Sequence, residues 1–243
     1  MIAAPIAAIS ATPAPAVPLP DGTYRYATAV AGRPVGNSTI VVRRTGNVVT
    51  IAENGTLAGN AASTLRRLDA STFATLSYAI DYDGKHASVS VAGSEATLTQ
   101  GTDTSTIDAA PGAPLVINDN LVAGFAQLPA TLHVTGKHAL TFACACGAFI
   151  AVPVTVTAAG AGTVTVTMDG VMDHTTARLR FDPKTFVLER FDLPSQQLSI
   201  ALTSHDAAPA APASPVAPSP APSPSRGARC TRAAAARSAR AAA

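Results

Sequence analysis

The chain has no tryptophan, few other aromatic residues (5% in all) and three cysteines in 243 residues. Each shortage excludes something. Without tryptophan the core must rest on Val, Leu, Ile and a few Phe and Tyr, because the 47% apolar fraction is inflated by alanine, which contributes little on burial. Three cysteines, Cys144, Cys146 and Cys230, are too few and too unevenly placed for a disulfide framework. No apolar run reaches the 18 or so residues of a membrane helix. Charge is sparse, and the formal +2 comes from the C-terminal end, where Arg226, Arg229, Arg232, Arg237 and Arg240 face only Asp206. Removing those five together with Asp206 leaves 12 basic against 14 acidic residues, a net of about −2. Such a body has no electrostatic footprint for nucleic acid.

Proline marks the boundaries. Of 19 prolines, five precede Asp21 and seven lie between Pro209 and Pro224. Residues 1–19 therefore read as a signal-like or disordered N-terminus, 20–204 as one β domain, and 205–243 as a Pro/Ala-rich linker with an Arg-rich disordered tail. A body of this size is ample for one core. Met1–Ala16 has a short apolar stretch followed by small residues ending Ala14-Pro15-Ala16, like the end of a secretory signal without its basic start.

The body reads in period two. Tyr24, Tyr26 and Thr28 share a face, and so do Ile40 and Val42. In Leu76–Asp83, Leu76, Tyr78, Ile80 and Tyr82 oppose Ser77, Ala79, Asp81 and Asp83. Asp83-Gly84 is the pair that a tight hairpin with two positive φ angles wants. Val152, Val154 and Val156 alternate with Pro153 and threonines; Val164, Val166 and Met168 do the same, and Ala177, Leu179 and Phe181 oppose Arg178 and Arg180. Threonine and valine suit a pleated surface. Turn signals fall at Gly32-Arg33-Pro34 and Thr45-Gly46-Asn47, and Pro153 within a strand implies an edge or a bulge. Short strands at this spacing give an all-β domain: a strongly twisted antiparallel sheet, half-barrel or barrel. One short helix interrupts it, from Asn118-Asp119-Asn120 through Leu121, Val122, Phe125 and Leu128, with Pro129 as its stop.

Chemistry-bearing residues are thin. His133, His138, Cys144 and Cys146 are metal-ligand types, but their spacing matches no structural zinc pattern. A buried strand face or a strained Cys144–Cys146 bridge are the other readings. Asp169, Asp173, His174 and Asp182 offer acids and a base close in sequence, yet Asp169-Gly170 and Asp182-Pro183 read as turns. Arg43-Arg44, Arg66-Arg67 and the Arg178, Arg180 row read as solvated faces. No nucleophile elbow, phosphate loop or dinucleotide fingerprint is present. No catalytic residue, metal ligand or cofactor is assigned.

Gly22-x-Tyr24, then Gly32-x-x-x-Gly36 and strands carrying Ile40 and Val42, are similar to the opening of uncharacterised bacterial periplasmic proteins. Phe181-Asp182-Pro183-Lys184-Thr185-Phe186-Val187-Leu188-Glu189-Arg190-Phe191 resembles their closing hairpin, with its D-P-x-T turn. The resemblance implies the twisted half-barrel of the lipoprotein-carrier-like group, whose concave face can hold acyl chains. The expectation is then a non-catalytic, periplasmic or secreted envelope protein that binds a lipid or other apolar small molecule. The binding face would be Tyr78, Ile80, Tyr82, Val154, Val164, Val166 and Phe125. The alternatives are a structural or adhesive interaction module with a Pro-rich spacer tail, and less readily a hydrolase using Asp169, Asp173 and His174.

Overall fold

The computed structural model describes residues 18–57, 59–82, 84–108, 115–117, 121–144, 148–168 and 175–208. Eight strands follow one another as a meander: β1 (Gly22–Val30), β2 (Arg33–Thr45), β3 (Val48–Leu57), β4 (Asn60–Asp69), β5 (Thr75–Tyr82), β6 (Lys85–Ala92), β7 (Glu95–Gln100) and β8 (Asp103–Asp108). Then come β9 (Leu115–Ile117) and two short helices, α1 (Val122–Ala126) and α2 (Leu128–Leu132). A second meander follows: β10 (Gly136–Cys144), β11 (Ala148–Gly160), β12 (Thr163–Met168), β13 (Thr176–Phe181), β14 (Leu188–Leu193), a 3₁₀ turn (Pro194–Gln196) and β15 (Leu198–Ala207).

All fifteen strands form one open sheet in the order β8-β7-β6-β5-β4-β3-β2-β1-β15-β14-β13-β12-β11-β10-β9. The two meanders are stitched at the centre, where β1 pairs antiparallel with β15 from Gly22–Ala207 to Val30–Leu198. Strand β15 thus runs past the boundary expected at Ser204. The only parallel pair among the described strands is β9 with β10. A parallel pair requires a crossover, and α1 and α2 are in that connection.

The curvature follows from what α1 touches. This five-residue helix contacts β2, β3, β14 and β9. In sheet order β3 is sixth and β9 fifteenth. Nine steps of about 4.8 Å would separate them by roughly 43 Å in a flat sheet, several times the length of the helix. The sheet therefore curls around α1, its concave side lined by the alternating apolar residues.

That alternation is as the sequence predicts along most strands. Tyr24, Tyr26, Thr28, Ile40, Val42, Val152, Val154, Val156, Val164, Val166, Met168, Ala177, Leu179 and Phe181 are all buried. Leu76 is not: it is 39% exposed, and Thr75 is buried instead. The pairing of β4 with β5 slips between Arg67 and Leu68, whose partners are Ser77 and Thr75, so Leu76 is the extra residue of a bulge. Pro153 is an exposed residue of β11. It pairs with Ala139 on β10, and among the described residues β12 joins β11 from Val154 onward.

Two local expectations need correction. The first turn is Ala31-Gly32, with φ of 50° and 73°, rather than Gly32-Arg33-Pro34, since Arg33 already pairs with Val30. Pro129 does not stop a helix but sits in the first turn of α2, where its missing N–H costs nothing. The helical segment breaks at Gln127 instead. The pair Asp83-Gly84 falls in a two-residue hairpin closed by Tyr82 and Lys85, with Gly84 at φ 71°; Asp83 itself lies outside the described residues.

Candidate functional site

The concave interior holds two apolar clusters with polar residues between them. The larger gathers β1–β3, β10–β15 and both helices, around Tyr24, Tyr26, Phe125 and Phe191. The smaller belongs to β4–β7 and Leu121, around Tyr78, Ile80, Val89 and Leu98. The expected binding residues divide accordingly. Val154, Val164, Val166 and Phe125 are in the first; Tyr78 and Ile80 are in the second, with half-buried Tyr82 packed against it. The structure therefore places them on one face of the sheet but in two groups.

Little empty space remains beside Phe125. A void of about 20 Å3 is bounded by Phe125, Leu132, Leu140, Val166, Met168 and Phe191, with the Phe125 and Phe191 rings 4.3 Å apart. That is room for a single water at most. The concave face at this point is filled by the protein's own helices.

Between the clusters runs a polar seam. Glu53 on β3 pairs across with Thr64 on β4, and Ile51 with Arg66, which in turn pairs with Tyr78 on β5. All point inward. Glu53 is 1% exposed and Arg66 is fully buried. The Arg66 guanidinium lies 4.1 Å over the Tyr78 ring, a cation–π stack in a dry setting. Arg66 is thus a core residue, not part of a solvated pair. Its partner in sequence, Arg67, faces out, as the period of two demands.

Glu53 has a definite task. The first amides of a helix lack intrahelical acceptors. The position before α1 is Leu121, whose side chain cannot cap, and Asn118, Asp119 and Asn120 lie outside the described residues. The Glu53 carboxylate accepts the N–H groups of Val122 and Ala123 at 3.0 and 2.7 Å. A strand side chain supplies the cap, and the favourable position of an anion at a helix start adds to it. At the other end of α1, Gln127 Nε2 donates to Thr75 Oγ1 at 3.4 Å. The helical segment is pinned to β3 at its start and to β5 at its break.

The hydroxyl of Tyr26 donates to the Leu188 carbonyl at 2.9 Å, tying β1 to β14 across the concave face. Burial pushes the Tyr26 phenol well above its usual range, and its hydroxyl stays neutral. Tyr24 donates to the Pro20 carbonyl at 2.6 Å and stacks on His205 at 4.3 Å. Desolvation, helped by the Asp21 charge, raises its pKa to about 12. Arg44 donates to the carbonyls of Pro18 and Ala70, so it too is an internal tie rather than a free surface charge.

The remaining chemistry-bearing residues are scattered. His133 ends α2, with Nδ1 3.2 Å from the Pro129 carbonyl and its ring stacked on Phe186. His138 Nε2 is 2.8 Å from the Val134 carbonyl. Cys146, Asp169, Asp173 and His174 lie outside the described residues, and of Cys144 only its place at the end of β10 is described. Asp182 is a turn residue: its carboxylate accepts the amides of Lys184 and Thr185, which hold its pKa below the usual range.

The sequence analysis points to neither Glu53 nor Gln127, and it places Arg66 on a solvated face. The signal was present, since Glu53 is in phase with Val49 and Ile51, and Arg66 with Ala62 and Leu68. A charge at an inward position of an alternating strand marks a buried polar group with a task. Compared with family models, curated proteins and solved structures, the chain matches none.

Proposed function

We propose that this is an exported, non-catalytic protein of the bacterial cell envelope whose concave sheet face takes a lipid or other apolar ligand when α1 and α2 give way. The observation that carries the reading is the plug itself. The face that an acyl chain would occupy is apolar, and among the described residues the crossover helices cover it, held by polar contacts to β3 and β5. The helices also pack Val122, Phe125, Leu128 and Leu132 into the apolar core, so an acyl chain has to replace those contacts as well as the polar ties. The 20 Å3 void means that binding requires the helices to move and not merely to be joined by a ligand. Tyr78, Ile80, Tyr82, Val154, Val164, Val166 and Phe125 remain the contact residues of this reading.

Protein purified from its native host should yield acyl lipid on solvent extraction and mass spectrometry, at a stoichiometry near one. A protein that carries no lipid, and whose melting temperature no fatty acid or phospholipid changes, contradicts the proposal. The filled interior favours a second reading, a structural or adhesive module whose sheet serves a partner, with the Pro/Ala tail as a spacer and the Arg-rich end as an electrostatic contact. For that module, deleting the residues after Ala208 removes partner capture, whereas a carrier keeps its ligand.

A further inference from the structure

The outer face of the second meander carries a feature that the interior does not explain. A trough of about 420 Å3 crosses β12, β13, β14 and β15 and is lined by Thr165, Thr176, Arg178, Arg190, Asp192 and Ser199, with Gln197 of the turn before β15 at one end. All six lie at outward positions of their strands. The volume is within the roughly 300–1,000 Å3 of small-molecule sites.

The charges do not balance. Arg190 Nε donates to both oxygens of Asp192, at 3.0 and 2.8 Å, which uses the one carboxylate in the trough. The neighbouring Arg180 is likewise paired, with Glu189 at 2.9 Å. Arg178 is directly opposite Asp192 in the β13–β14 register, yet among the described residues it has no hydrogen bond or ion pair. Among the described residues Arg178 is then the one guanidinium of the trough without an ion pair, a planar fork suited to a carboxylate. Around it stand short hydroxyls and an amide, which donate and accept along a polar ligand, and the floor includes the apolar atoms of Ala177, Pro194 and Leu198.

We propose that this trough binds an acidic saccharide, with a sugar carboxylate on Arg178, ring hydroxyls on Thr165, Ser199 and Gln197, and the C–H face of the ring against Pro194. Because the ligand is held by an exposed cation, affinity is modest and weakens as salt rises. The trough is on the opposite face of the sheet from α1 and α2, so this inference stands or falls apart from the lipid reading.

The test is calorimetric titration of the full chain with tri-galacturonic acid, with maltotriose as the neutral counterpart and sodium acetate as the bare anion. Tri-galacturonic acid should bind, maltotriose should not, and Arg178→Ala should weaken binding at least tenfold while the melting temperature stays unchanged. Arg178→Lys should restore part of it. Should Arg178→Ala fold poorly, Ser199→Ala serves as the second variant, with a smaller loss expected. Absence of tri-galacturonic acid binding, equal binding by Arg178→Ala, or full competition by equimolar acetate each overturns the proposal.

Discussion

Asp69 shows how one side chain sets a turn. Its carboxylate takes the Ser71 hydroxyl, the amides of Thr72 and Ser71 and the Thr72 hydroxyl, and Asn47 reaches it from the neighbouring hairpin at 2.8 Å. These bonds, the Ser71 hydroxyl foremost, hold its pKa far below the usual carboxylate range. The sign follows directly. A depressed folded-state pKa gives stability that is present above the unfolded value of about 3.9 and is lost as pH falls toward the folded value. Asp69→Asn should therefore lower stability to urea at neutral pH, and the gap to the parent protein should narrow between about pH 5 and about pH 2. A gap that stays constant across this window would contradict the assignment. Asp182 was legible as a turn residue because Asp-Pro followed by a polar residue is local chemistry. The role of Asp69 was not, since it depends on a β4–β5 connection whose flanking strand, Asn60–Asp69, was not singled out in the sequence.

At the scale of elements, the strands were readable and the helices only partly so. Alternation is enforced residue by residue: one face of Thr163–Met168 must enter the core, whatever the rest of the fold does. The position of α1 depends on partners distant in sequence. Glu53 precedes the amides it caps by 69 and 70 residues, a separation no local pattern reveals. The same holds for the bulge at Leu76, which arises from pairing with β4 and not from the composition of β5. The cap has a measurable consequence. Glu53→Ala leaves two buried amides without their acceptor and should cost roughly 2–4 kcal/mol in urea unfolding. A loss under about 0.5 kcal/mol would mean that water replaces the carboxylate freely and that the helix is not hung on β3.

For the whole molecule, the decisive arrangement is the closure of β1 on β15. The two meanders are consecutive hairpins that local turns can build, but they become one sheet only through a pairing between Gly22 and Ala207. A chain ending after Ala208 should melt at the same temperature as the full chain, because the compact unit ends there. A chain ending at Leu193 loses β15, takes Leu198 and Ile200 out of the core, uncovers the apolar residues of β1 and β14 beside them, and should not melt cooperatively. That Ala/Pro-rich ends flank one β domain was plain from where the prolines fall; that the first and last strands meet mid-sheet was not, since antiparallel order beyond hairpins leaves no local trace.

In the proposed lipid binding, the crossover helices are a movable occupant of the sheet's hollow side. Hydrogen exchange of the full-length protein with and without palmitate measures this directly. With ligand, the Val122 and Ala123 amides should lose protection while those of β1 and β15 keep theirs. Unchanged protection of both amides at palmitate concentrations that saturate the protein, or no saturation at all, would contradict it.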